Sequence, residues 1–141
     1  VKNNKLLMIM IIMLVAITLV GAVAVIVVKE LNSSGTQEPT IDEVLESSVD
    51  IPQITTNLAS NDFVRISFKI QTDSKNAKKE LEKRDFQVKD IIIQELSEMK
   101  AEDIQGKEGQ NKLKEELKEE LNEIMQEGKI EQVYITENLL Q

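Results

Sequence analysis

The sequence predicts an α+β domain of order β-β-α-α-α-β, carried behind a single N-terminal transmembrane helix. Three observations predict it. Residues 6–28 hold no charge and are almost wholly Leu, Ile, Val, Met and Ala. Residues 64–71 alternate strictly between apolar and polar side chains, the period of a strand with one wet face. Beyond them, apolar residues recur at three- and four-residue intervals until a last run of strand formers ends the chain. Strands and helices that segregate in this way favour helices packed on one face of a sheet.

Residues 1–5 contain Lys2 and Lys5 and read as a short cytoplasmic N-terminus. The uncharged run that follows, at ~1.5 Å per residue, reaches roughly 34 Å and so crosses a hydrocarbon core of about 30 Å. Leu6, Ile12, Leu14, Leu19 and Val28 sample the anchor along its length. Ala22-Val23-Ala24 resembles a signal-peptide cleavage site, but the apolar run is longer than a signal h-region and continues beyond it, which favours an uncleaved anchor. Lysines precede the span, and acids (Glu30, Glu38, Asp42, Glu43 and Glu46) dominate after Lys29. The positive-inside rule then puts the N-terminus in the cytoplasm and the rest outside the cell membrane. Thr18 and Ala22 form a small-xxx-small pair, which ordinary apolar composition also explains.

Residues 29–50 read as a linker, with turn formers through Leu31–Pro39 and a short juxtamembrane helix at 40–48. Thr40 and Glu43 have capping-box spacing, and Ile41, Val44 and Leu45 share a face. These five residues are candidate contacts for a partner or a neighbouring copy. A helix this short is marginal alone in water, which is the plainer reading. The outer domain is expected over 51–141. Ile51–Leu58 forms its first strand, an Asn/Asp turn follows, and Val64, Ile66, Phe68 and Ile70 face the core while Arg65, Ser67, Lys69 and Gln71 stay wet. Ser74–Met99 is helical, with Arg84-Asp85-Phe86 as a break, and one of Ile91, Ile92 and Ile93 exceeds what core packing needs. Ile104 anchors the connection, and Gly106 and Gly109 bracket a turn. Leu113, Leu117, Leu121, Ile124 and Met125 stripe one amphipathic helix, too short for a coiled coil, with Gly128 at its C′ position. Residues 129–141 form the last strand.

Composition narrows the function classes. A net charge of −8 and one lysine cluster, Lys78, Lys79, Lys83 and Arg84, broken by acids, argue against nucleic acid. There is no Cys and no His, which removes thiolate chemistry and the commonest general base. No Ser–Lys spacing, phosphate loop or calcium loop stands out, and Asp42-Glu43 and Glu115-Glu116 are read as solvated acids. No enzyme, cofactor, metal or small-molecule substrate is expected. With no ionisable residue inside residues 6–28, no ion path through this chain is expected either.

The layout resembles the FliL family of flagellar basal body-associated proteins along essentially its whole length. Lys-Asn-Asn-Lys-Leu-Leu at 2–7 looks like the start of FliL proteins from low-GC Gram-positive bacteria. Asn57-Leu58 resembles the family's strand end, and Leu81-Glu82-Lys83-Arg84 through Asp90-Ile91-Ile92 its middle helices. Gly109, Leu113, Asn122, Gly128, Val133-Tyr134-Ile135-Thr136 and Gln141 resemble its helix–Gly–strand ending. Asn138-Leu139-Leu140 lacks an aromatic frequent there, and Asp85-Phe86-Gln87 replaces a proline-containing break. The resemblance implies an outer domain of stomatin/prohibitin (SPFH)-like type. It also implies a homo-oligomeric ring that binds the flagellar stator proteins MotA and MotB at the membrane and supports torque and swarming or swimming motility. A generic stomatin-like membrane scaffold unrelated to motility is the alternative.

Overall fold

A computed structural model describes residues 2–33 and 38–141, which form two compact units divided at Glu38/Pro39. The first unit is one helix, α1 (Lys2–Ser33). It contains an apolar stretch, Asn3–Lys29, long enough by length and composition to cross a membrane. Leu31–Ser33 continue this helix instead of starting the linker, while residues 34–37 of the expected linker lie outside the described residues.

The second unit begins with α2 (Ile41–Glu46), three residues shorter than the 40–48 expected. Ser48 is already the first residue of β1 (Ser48–Asn57), so the sheet starts inside the stretch assigned to the linker. β2 (Phe63–Thr72) lies at the centre of a three-stranded antiparallel sheet of order β1-β2-β3, with β3 (Ile130–Leu140) on its other side. Four helices follow β2 where three were expected: α3 (Lys75–Lys83), α4 (Asp85–Glu98), α5 (Ala101–Gln105) and α6 (Lys107–Ile124). They cover one face of the sheet.

The core follows from the β2 alternation. Val64, Ile66, Phe68 and Ile70 are fully buried against Leu81, Val88, Ile92, Leu96, Ile104, Leu113, Leu117 and Leu121. The three leucines of α6 recur every four residues and account for the buried stripe, with Ile124 and Met125 packed at its margin. Gln71 departs from the expected wet face. It is buried, and its Oε1 accepts a 3.2 Å hydrogen bond from the Tyr134 hydroxyl, which satisfies the amide oxygen where solvent is scarce.

The connections explain the remaining differences. In the β1–β2 turn Asn61 takes φ 67°, a left-handed conformation that Asn tolerates better than most residues. The turn is tied to the helical layer by Ala59 N–H donating to the Met99 carbonyl at 2.8 Å and Ala101 N–H to Ser60 Oγ at 3.0 Å. α3 starts on Ser74, whose hydroxyl accepts from Ala77 N–H at 3.1 Å. It breaks from α4 at one residue, Arg84, with φ −92° and ψ 17°. α5 is the element not expected. Asp103 Oδ2 accepts from the Lys100 N–H at 3.1 Å to start it, and Ile104 is its single fully buried side chain.

The three glycine and cap assignments near α6 change accordingly. Gly106 is the residue before α6 and Gly109 sits in its first turn, so the two do not bracket a turn. A Cβ on Gly109 would lie 1.9 Å from the Asp103 carbonyl oxygen, so it is the packing of α5 on α6 that requires glycine there. α6 ends at Ile124 with Met125 as its cap, and Gly128 lies beyond the C′ position. Gly128 serves the next turn instead, at φ 138°, with Ala77 Cβ and Asp73 Oδ1 each 2.6 Å from where a Cβ would stand. Asn122 then clamps the arriving strand, accepting from Ile130 N–H at 2.8 Å and donating to its carbonyl at 3.2 Å. The last residue is held too, since Phe63 and Gln141 exchange backbone hydrogen bonds of 2.9 and 2.7 Å.

Candidate interaction surfaces

The candidate membrane anchor is the first surface. Leu6, Ile12, Leu14, Leu19 and Val28 are all exposed on α1, as are the other large apolar side chains between them. A helix apolar on every side has no polar face to turn to water. Thr18 spends its hydroxyl on the Leu14 carbonyl at 2.8 Å, leaving no unpaired donor for lipid.

The second surface is α2. Its capping box is complete: Thr40 Oγ1 accepts from Glu43 N–H and Glu43 Oε2 from Thr40 N–H, both at 3.3 Å. A helix of six residues held by such a cap is fixed by local hydrogen bonds, because it buries none of its residues. Val44 is half-buried and its carbonyl accepts from the Ser48 hydroxyl. Ile41 and Leu45 stay 70% and 48% exposed. The helix is pinned at its end, where Thr72 donates through N–H and hydroxyl to the Ser47 carbonyl (3.0 and 2.6 Å) and Lys75 lies 3.5 Å from Glu46.

The third surface is the open face of the sheet. Its side chains bond across strands: Lys69 to Asp50 at 3.3 Å, Gln53 and Ser67 to the Glu137 carboxylate at 3.2 and 3.4 Å. Phe63 and Leu139, diagonal neighbours in the β2–β3 register, break this polar pattern at the end remote from Ser48. Both edges are irregular. Pro52 and Gln53 bulge opposite Ser67, and Glu131 and Thr136 are extra residues on β3. Proline and bulges spoil an edge as a template for another strand.

Two further features lie on the helical layer and were not read from the sequence. Phe86, Gln87, Asp90, Ile91 and Ile124 line a shallow hollow of about 570 Å³, with the Phe86 ring 71% exposed. Of the three consecutive isoleucines, Ile92 is buried, Ile91 lines this hollow and Ile93 faces outward. Phe86, one of three phenylalanines, directly after a helix break was the available signal. Between α4 and α6 a cleft of about 360 Å³ is lined by Glu95, Glu98, Asp103, Glu116 and Glu120, with Lys112 3.6 Å from Glu116. Hydrogen bonding to Glu120, then burial and the repulsion of Glu120 and Glu116, push the Glu95 carboxyl up to about 7. The i, i+4 spacing of Glu116 and Glu120 was visible, but the α4 partner was not. Among the described residues no three His, Cys, Asp or Glu side chains are placed to hold a metal ion.

Glu80 is the opposite case. Burial pushes its carboxyl up, but the N–H groups of Gln126 and Glu127, each at 2.6 Å, and Arg84 at 3.0 Å outweigh that and hold it below the usual value. It locks α3 to the turn that follows α6.

The folded unit from β1 to the last residue, 48–141, matches the family model described as flagellar basal body-associated protein FliL. The chain belongs to the FliL family. It is 46% identical over 121 residues to the flagellar protein FliL of Bacillus subtilis (strain 168), covering 86% of each chain. It is 30% identical over 93 residues to the flagellar protein FliL of Aquifex aeolicus (strain VF5), covering 64% of this chain and 58% of that one. The FliL match begins at the first strand residue, so α1 and α2 stand before the family domain.

Proposed function

We propose that this FliL-family chain is a non-catalytic membrane adaptor that binds and supports the MotA–MotB stator units, as a ring of SPFH-like outer domains, promoting torque. The N-terminus is cytoplasmic and the domain extracytoplasmic. The observation that carries this reading is a FliL match running from the first strand residue to Gln141, in a chain whose α1 is apolar enough to cross a membrane. The open sheet face and α2 are the surfaces offered to the stator and to neighbouring copies. An anchored domain meets another membrane protein at high effective concentration, so modest surfaces suffice.

The test is co-purification of MotA and MotB with the full chain from membranes, followed by imaging of the complex. Retention of both stator proteins is expected. Their absence under conditions that keep the stator intact overturns the reading. Deleting residues 40–46, which spares the Ser47–Thr72 bonds, is expected to impair swarming; unchanged torque removes α2 from the proposal.

A further inference from the structure

We propose that α2 of one copy docks its Ile41–Leu45 face into the Phe86–Ile91–Ile124 hollow of the next, giving a head-to-tail contact between like chains. The inference deepens the ring proposed above and rests on that reading. Three properties of the two surfaces point to each other.

The first is shape. Ile41 and Leu45 stand one helical turn apart on a capped helix, both largely exposed, and present two apolar side chains roughly 6 Å apart. The hollow offers Phe86, Ile91 and Ile124 as its apolar lining. The second is charge. Residues 38–46 hold Glu38, Asp42, Glu43 and Glu46 and no base. The hollow adjoins the basic end of α3, Lys79, Lys83 and Arg84, in which Glu80 is turned inward and pairs with Arg84, and Glu82 opposes. Arg84 Nη1 donates to Gln87 Oε1 at 2.9 Å, joining the hollow's rim to a groove lined by Lys79 and Lys83 together with Glu80 and Glu127. Asp85 and Asp90 lie at the same rim, and Lys89 pairs with Asp85 at 3.0 Å. The same acids make an anionic lipid surface a poor occupant for α2.

The third is separation. Within one domain α2 is fixed at the start of α3 by the Lys75–Glu46 pair, while Phe86 follows the end of α3. Nine residues of helix, about 13 Å, keep the two surfaces from meeting in the same copy. Two different complementary patches on one rigid body make a heterologous contact, which repeats from copy to copy. Two aliphatic side chains and one ring bury less than the ~1,200 Å² typical of a stable complex, so the contact relies on the concentration that a membrane supplies.

The chain has no cysteine, so thiol cross-linking reads the contact directly. Full-length Leu45→Cys/Phe86→Cys in phosphatidylcholine vesicles is expected to give a ladder of dimers, trimers and larger species on oxidation. Ile41→Cys/Phe86→Cys with a short bismaleimide covers a geometry unsuited to a disulfide. The control pair Leu45→Cys/Asn111→Cys, with its second thiol exposed near the start of α6 and remote from the hollow, is expected to give none. Adding Lys79→Glu and Lys83→Glu is expected to cut the ladder several-fold. No ladder from either Phe86 pair, an equal ladder from the control, or indifference to the charge reversal overturns the proposal. Stator co-purification that persists without a ladder rejects this contact alone. A ladder without stator co-purification supports the contact and rejects the stator reading.

Discussion

Single residues decide how this domain responds to pH and to small insertions of volume. Glu95 faces Glu116 and Glu120, with Glu98, Asp103 and Lys112 around the same cleft, and its carboxyl is raised to about 7. The folded state therefore binds a proton that the unfolded chain, titrating near 4.5, has already lost. Stability from this group is complete below about 4.5, falls as pH rises to about 7 and is flat beyond. Glu95→Gln is expected to raise Tm at pH 8 and leave it unchanged at pH 4, as followed by circular dichroism; an equal gain at both pH values refutes the shared-proton account. Glu80 works the other way, its contribution being lost as pH falls below the ordinary carboxylate value. Gly109 carries the second residue-scale prediction. Gly→Ala inside a helix usually stabilises by about 1 kcal/mol. Here the added Cβ meets the Asp103 carbonyl, so Gly109→Ala is expected to destabilise by about 1–3 kcal/mol in a denaturant titration. The sequence shows the glycine but not its reason. The contact comes from α5, an element whose five residues are too few to carry a helical period.

Elements were legible to the degree that their signal was periodic and local. β2 and α6 follow from alternation and from a leucine every fourth residue, and the Thr40 cap follows from two residues three apart. What could not be read depended on partners distant in sequence. The β1 start at Ser48 depends on Thr72, the burial of Gln71 on Tyr134, and the register of β3 on the Asn122 clamp. The candidate site divides the same way: α2 was found from its own spacing, whereas the Phe86 hollow needs α4 and α6 together. These differences predict different responses to mutation. Thr40→Ala removes a cap worth about 1 kcal/mol to α2, yet α2 buries nothing. The expected result is faster amide exchange at Val44 and Ser47 with an unchanged global Tm. Asn122→Ala leaves the buried Ile130 backbone without both its side-chain partners and is expected to cost about 1–3 kcal/mol globally. A Tm loss from Thr40→Ala equal to that from Asn122→Ala contradicts this division.

At the scale of the whole molecule, the proposed function gives the candidate anchor and the domain separate duties. Among the described residues, the domain's hydrophobic core is drawn from side chains between Ile51 and Val133, with Val49 and Leu140 among those packed at its margin. A core complete within these residues predicts that the domain folds without α1, and in the proposed function α1 holds the domain at the concentration its small surfaces require. The blunted edges at Pro52 and the β3 bulges suit that division, since they discourage strand addition and leave association to side-chain contacts. Residues 39–141 alone are expected to unfold cooperatively at the same denaturant midpoint as the full chain in detergent. Exported without α1, the same domain is expected to leave swarming of a deletion strain unrestored, while fusion to an unrelated single-span anchor restores it. Rescue by the free domain would mean that its surfaces bind tightly enough without a membrane. A midpoint lowered by removing α1 would instead place part of the domain's stability in the anchor, where the core composition puts none.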